Sequence, residues 1–373
     1  MGILRFLLAV SVLIAHTSPV FGSSYVGGII AVKTFYIISG FYMSLVLNEK
    51  YVNKNGAYKL FITNRFLKIY PIYWIVLLLS IGLYLIFFFL YPNDHSNLIN
   101  LFINYANSVN IFAFVFLVIV NLFILGQDTL LFMGLNTTGS FYFVQNFWKT
   151  DPQLYSFLAI PQAWTVSLEL MFYLIAPFIV RRKLYSIVTI IILSFILKIY
   201  CYKIGLKGDP WNYRFFPFEI AFFLIGNICY KAYLWTKQCL SHFEKLYLPL
   251  LAIILLVIYF YHQLHLNIFI KEYLFYLLIC VMIPLLFLSS KNNKFDGYVG
   301  ELSYLIYISH MLILMIVQKV NFSFFNELGL TTLIFTVMFS ILCKEIITGK
   351  IEKFRQKRAL PIISPTCTLQ EHC

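Results

Sequence analysis

Arg5 and His16 stand eleven residues apart in an otherwise apolar run near the start of the chain. At ~100° per residue, eleven steps return to within ~20° of the starting direction, so on a helix both side chains share one face. A guanidinium is permanently charged, whereas an imidazole takes up and releases a proton near neutral pH. Together they could hold an anion at one level and move a proton ~16 Å further along the helix. In a helix crossing a ~30 Å hydrocarbon layer, His16 would lie near mid-depth, where ionisable groups mark a polar cavity.

Four further polar constellations interrupt the apolar sequence. Lys33, ahead of Phe35-Tyr-Ile-Ile-Ser39-Gly40-Phe41, needs a counter-charge or water inside a span. Ser39-Gly40 suits close helix packing, and for this segment the structural reading is favoured. Asn64-Arg65-Phe-Leu-Lys68-Ile-Tyr-Pro71 reads either as a basic anchor with proline in the first turn, or as a cationic lip for a phosphorylated substrate. In Gln162-Ala-Trp164-Thr-Val-Ser167-Leu-Glu169-Leu-Met-Phe172-Tyr173, the carboxylate of Glu169 enters an apolar span one turn from Tyr173. It must protonate or find a cation, and His16 and Lys33 are the candidates across the bundle. Finally, Gly300-Glu301-Leu-Ser303-Tyr304-Leu-Ile-Tyr307-Ile-Ser309-His310 sets Ser303 and His310 on one face and brings a second histidine into a span.

The elements that must position these groups follow from composition. The chain is 61% hydrophobic and 12% charged over 373 residues. Soluble domains carry roughly a quarter charged residues, so an all-α, polytopic membrane bundle is expected. Residues 1–348 form one integral-membrane domain, followed by a short basic cytoplasmic tail, 349–373, whose end 364–373 is expected to be disordered. The net charge of +13 does not indicate nucleic-acid binding, because the basic residues lie between hydrophobic runs. The seven cysteines lack paired or metal-ligand spacing, so no structural disulfide and no metal are expected. The first residues also fit a secretory signal ending at Val20-Phe21-Gly22, but a retained helix is preferred, since cleavage would discard His16.

Hydrophobic runs of spanning length occur near 3–21, 26–47, 69–91, 109–126, 159–180, 184–202, 213–235, 246–264, 273–289, 298–319 and 329–347. Basic residues follow the second run (Lys50, Lys54, Lys59, Arg65, Lys68), the fifth (Arg181, Arg182, Lys183) and the chain's last run, which places both termini in the cytoplasm. Three runs between the first two of these loops break the parity. The resolution is ten spans, with 109–126 a partial or re-entrant element. Twelve spans, with 129–147 also crossing, is the alternative, made unattractive by Asn136, Thr137, Thr138, Gly139 and Ser140.

Taken in order, these segments resemble the acyltransferase-3 family of integral-membrane O-acyltransferases, which includes bacterial O-antigen and surface-polysaccharide O-acetylases. The resemblance runs from Arg5 to about His310. It rests on Arg-x10-His, the Phe35 to Phe41 segment, the basic pair before Pro71, the Trp164 to Tyr173 segment and the late segment ending at His310. Three positions depart from the family pattern. Lys68 stands for a second arginine, Lys33 for an acidic residue, and Thr165-Val166 for Ser-Leu. No soluble esterase-like domain follows the spans, so the reaction is expected to finish in the membrane domain.

The resemblance implies a bacterial inner-membrane enzyme with no permanently bound cofactor. Its donor would be acetyl-CoA or another cytoplasmic acyl-CoA, and its acceptor a hydroxyl of a cell-surface or lipid-linked glycan reached from the other face. His16 would be the catalytic base or carry an acyl group, with Glu169 orienting it or anchoring the acceptor. Arg65 and Lys68, with Arg5 and Arg181 nearby, would hold the CoA phosphates. Trp164, Tyr173, Ser303 and His310 would contact substrate. The competing class is a transporter or flippase of an amphiphilic glycan, in which His, Lys and Glu couple to ions. A non-enzymatic scaffold would have no need of His16.

Overall fold

In lipid every backbone polar group must be satisfied within the chain, and long apolar runs meet that demand as helices. The structure, a computed structural model, describes residues 1–51, 56–94, 97–105, 108–239 and 243–359. Lys54 and the expected disordered end, 364–373, lie outside the described residues. The helices are α1 (Gly2–His16), α2 (Gly28–Glu49), α3 (Ala57–Leu90), α4 (Leu98–Tyr105) and α5 (Ile111–Phe123). A short hairpin, β1 (Met133–Leu135) and β2 (Phe141–Phe143), comes next. Then follow α6 (Trp164–Ile179), α7 (Leu184–Lys203), α8 (Phe216–Cys239), α9 (Tyr247–Phe260), α10 (Ile268–Ser290), α11 (Lys294–Val320), α12 (Leu328–Cys343) and α13 (Gly349–Ala359). Among the described residues, seven helical segments are long and apolar enough to cross a membrane: 28–49, 57–90, 161–179, 184–203, 268–290, 294–320 and 328–358. The all-α polytopic bundle is thus observed.

Two boundaries that bear on the polar residues differ from expectation, whereas the run 109–126 is short, as a partial element should be. The first helix stops at His16 rather than 21, because Pro19 cannot donate a helical bond and its ring crowds the carbonyl four residues back. Thr17 Oγ1 instead bonds the Leu13 carbonyl at 3.0 Å, and Val20 and Ser23 pair in a tight bridge. His16 therefore occupies the end of a 15-residue helix, not the middle of a longer span. Helix α3 begins at Ala57, so Pro71 lies inside a 34-residue helix and not in its first turn. The run 109–126 yields only the 13 residues of α5, about 20 Å of helix at ~1.5 Å per residue and too short to cross alone. A crossing at 129–147 is excluded, since β1 and β2 pair there antiparallel, Met133 opposite Phe143. Gly139 closes their turn at φ +72°, donating to the Asn136 carbonyl at 3.0 Å.

Contacts sort the helix ends into two groups. At one, called here the basic end, the backbone N–H groups of Gly2 and Ile3 donate to Asp296 of α11 at 2.6 and 3.0 Å. Arg181 after α6 donates to the Leu47 carbonyl of α2 at 2.6 Å. Helix α13 joins this end, as Arg355 Nε donates to the Asn64 carbonyl at 2.8 Å and Arg358 to Thr63 Oγ1 at 3.0 Å. At the far end Ser18 Oγ accepts from Gly329 N at 2.8 Å, and Lys319 pairs with Asp94 at 2.6 Å.

Two glycine pairs let helices approach at backbone distance. A Cβ on Gly2 would stand 1.6 Å from the Asp296 carbonyl oxygen, and one on Gly300 would stand 2.7 Å from the Gly2 Cα. Gly40 and Gly226 do the same for α2 and α8, where a Cβ would come within 1.8 Å of the Phe223 oxygen and 2.0 Å of the Ile37 oxygen. Small residues serve this packing role in membrane bundles generally. The first pair fixes the helix that carries Arg5 and His16 against the helix that carries Ser303 and His310.

Candidate functional site

Residues from all five polar constellations meet around an internal cavity of about 100 Å³. Arg5 comes from α1, Ser39 from α2, Lys68 from α3, Glu169 and Tyr173 from α6, and Ser303 and Tyr307 from α11. A wider void of about 420 Å³ lies toward the basic end and is lined by Arg65, Asn64, Lys291 and Arg355. Arg5, Tyr42, Lys68 and Tyr304 line both, so the two voids form one passage from the basic end to the bundle interior.

Glu169 has partners that its sequence context did not reveal. Ser39 Oγ donates to Glu169 Oε1 at 2.7 Å, and the Tyr173 hydroxyl donates to the same oxygen in a short bond. Neither His16 nor Lys33 is its cation. Lys33 instead pairs with Glu272 at the start of α10, 3.0 Å away, which supplies the counter-charge it required. Ser39 thus does more than permit packing; Gly40 alone fits that reading. Of the cations, Lys68 and Arg5 line the same cavity as Glu169, without reaching ion-pair distance. Arg65 is buried, its guanidinium 5.8 Å from the Tyr173 ring.

Beyond the cavity, toward the far end, the two intramembrane histidines come together with ring centroids 5.3 Å apart. His310 is fully buried and its Nδ1 lies 2.7 Å from the Tyr307 carbonyl. A carbonyl only accepts, so the proton is on Nδ1 and the lone pair on Nε2, which has no partner among the described residues. His16 is exposed at its helix end, open to the far side. Tyr307 connects the regions: its hydroxyl is 2.5 Å from Thr165 Oγ1 and bonds the Gln162 carbonyl at 3.0 Å, while its backbone holds His310. Ser303 donates to the Gly300 carbonyl at 2.7 Å and stays with the inner cavity, two turns from His310.

Trp164 is placed between these groups and a residue that sequence reasoning missed. Arg214, in the segment between α7 and α8, lies 4.4 Å over the Trp164 ring and pairs with Asp209 at 2.5 and 3.0 Å. Its charge reaches both His16 and Tyr307. Arg214 fell at the start of the apolar run expected at 213–235 and was not singled out; the helix begins only at Phe216, which leaves it in the loop.

The fold and this interior define a multi-pass membrane protein with a polar site buried among its helices, cationic at one end and imidazole-bearing at the other. The chain belongs to the acyltransferase-3 family, described as an acyltransferase domain, which matches residues 1–344. It is also similar to an uncharacterized protein of Aquifex aeolicus (strain VF5), 27% identical over 202 residues that make up 53% of this chain and 90% of that protein. No solved structure matches the chain.

Proposed function

We propose that this acyltransferase moves an acyl group, most simply acetyl, from a cytoplasmic acyl-CoA to a hydroxyl of a cell-surface or lipid-linked glycan in the bacterial inner membrane. The observation that carries this reading is the passage whose cations, Arg5, Arg65 and Lys68, face the basic end, and whose other end leads through Tyr307 to His310 and His16. Arg65 and Lys68 would hold the donor phosphates at the mouth, and the acyl chain would reach inward past Arg5. The acceptor would come from the far side to exposed His16.

In the transfer itself, His16 takes the proton of the acceptor hydroxyl as its oxygen attacks the thioester carbonyl. A C–O bond forms, the C–S bond breaks, and the proton passes to the departing CoA sulfur. Glu169, held by Ser39 and Tyr173, keeps a negative charge beside Arg5 and Lys68 and so orients the cations that meet the donor. The test is O-acyl ester content of the surface glycan in a deletion strain carrying wild type, His16→Ala or Arg5→Ala, with membrane levels matched. Both variants should lack the esters. Full acylation by His16→Ala would remove His16 from the chemistry.

A further inference from the structure

Between α3 and α11, near the far end, lies a separate cavity of about 210 Å³. Its lining mixes aliphatic side chains, among them Ile160, Met311 and Met315, with the polar Ser80, Asn97 and Gln162. The charges in its wall, Asp94 and Lys319, are paired with each other at 2.6 Å, so the cavity offers little net charge. Gln162 is only 5% exposed. Its Nε2 donates to the Ile308 carbonyl at 2.9 Å, two residues before His310, while its Oε1 is buried and has no hydrogen-bond partner among the described residues.

A buried amide oxygen without a donor is costly, about 1–3 kcal/mol in typical proteins, and a ligand O–H is the group that relieves it. A purely apolar ligand would leave that oxygen unmet. An anion would face a carbonyl oxygen and a lysine already paired. A ring bearing both hydroxyls and C–H groups matches this mixed lining.

Resting on the acyltransferase reading, we propose that this cavity is the acceptor subsite and takes a neutral sugar unit of the glycan, one hydroxyl of which donates to Gln162 Oε1. Gln162 then joins the acceptor's position to the backbone turn that holds His310. The site would select among sugars by whether a hydroxyl can reach Gln162.

The test uses the full chain in nanodiscs, with the host's surface polysaccharide stripped of esters by mild alkali and tritium-labelled. One measurement is [14C]acetyl transfer from acetyl-CoA with each substrate varied in turn; the other is equilibrium binding of the polysaccharide with no donor present. Gln162→Ala, and separately Met311→Trp, which fills the cavity, should raise the acceptor KM at least tenfold and weaken binding to match. The KM for acetyl-CoA should move less than twofold. Unchanged acceptor KM and binding in both variants would overturn the subsite, as would equal movement of both KM values. A wild type that binds polysaccharide in a Met311→Trp-sensitive manner but transfers no acetyl would sink the acyltransferase reading and leave the sugar site standing.

Discussion

The two ends of α1 sit in opposite electrostatic settings. Around Arg5, three cations that line the passage lack an ion-pair partner: among the described residues no carboxylate lies within ion-pair distance of Arg5, Arg65 or Lys68, although Arg355 at the mouth pairs with Glu352. Around His16 the reverse holds. Arg214 is paired with Asp209, Lys33 with Glu272, Lys198 with Glu219 and Lys319 with Asp94. Charge in a low-dielectric interior is costly unless compensated. Arg5, Arg65 and Lys68 therefore favour an anion in the passage, whereas at the far end the charged side chains are paired with each other and two imidazoles and the Gln162 amide remain. One short helix joins the two settings.

The sharpest way to break that contrast is at its proton-handling end. His16→Ala should lower acyl transfer by about 10²–10⁴-fold, the usual range for loss of a general base, with the acyl-CoA KM unchanged. Because His16 is exposed at a helix end, the amount of folded protein in membranes should not fall. Retention of more than about a tenth of the rate would place the proton transfer elsewhere, with His310 next in line.

At the cationic end the effect should appear in the other constant. Hydrogen bonds to charged groups contribute about 1.5–3 kcal/mol, so Arg65→Ala should raise the acyl-CoA KM roughly 10- to 100-fold with kcat little altered. The difference from wild type should shrink as salt is raised if Arg65, which lines the wide void toward the basic end, meets the donor phosphates there. A kcat loss at unchanged KM would contradict the division of labour between the two ends.

Glu169 tests the join between them. Glu169→Gln keeps an oxygen for Ser39 and Tyr173 but removes the charge that faces Lys68 and Arg5. About a tenfold loss of transfer is expected, and a smaller loss for Tyr173→Phe, because the Ser39 bond remains. If Tyr173→Phe is the more damaging, the hydroxyl itself acts on substrate and not merely on the carboxylate.

Much of this arrangement was legible from polar residues in apolar segments. Arg5, Lys68, Glu169, Tyr173 and Ser303 do meet at one cavity, since a costly group in a span must face other polar groups. Partner choice was not legible. Glu169 found Ser39 and Tyr173, and Lys33 found Glu272, because helix rotation and depth decide who meets whom and neither is written in a one-dimensional pattern. The start of α3 was hidden for a different reason: Lys59, Asn64 and Arg65 break the apolar run, although the backbone is already helical there. The end of α1 was written in Pro19, and hydropathy simply overrode it. Arg214, at the edge of the run 213–235, could pass for a snorkelling anchor, and its place over Trp164 is set by the packing of a loop.

That loop supplies the smallest expected effect and the finest probe of the far end. Trp164 is buried, with the Arg214 guanidinium over its ring, so its effect on transfer is expected to run through the cation it supports. A cation–π contact contributes roughly 0.5–2 kcal/mol, more on tryptophan than on phenylalanine. Trp164→Phe should therefore cost only about two- to fivefold in transfer, whereas Arg214→Ala should cost more, because it also strips the charge that reaches His16 and Tyr307. The double variant should lose no more than Arg214→Ala alone if the tryptophan works through the arginine. Additive losses would instead give Trp164 its own contact with the acceptor, and the far end would then bind its substrate with an aromatic face as well as with neutral polar groups.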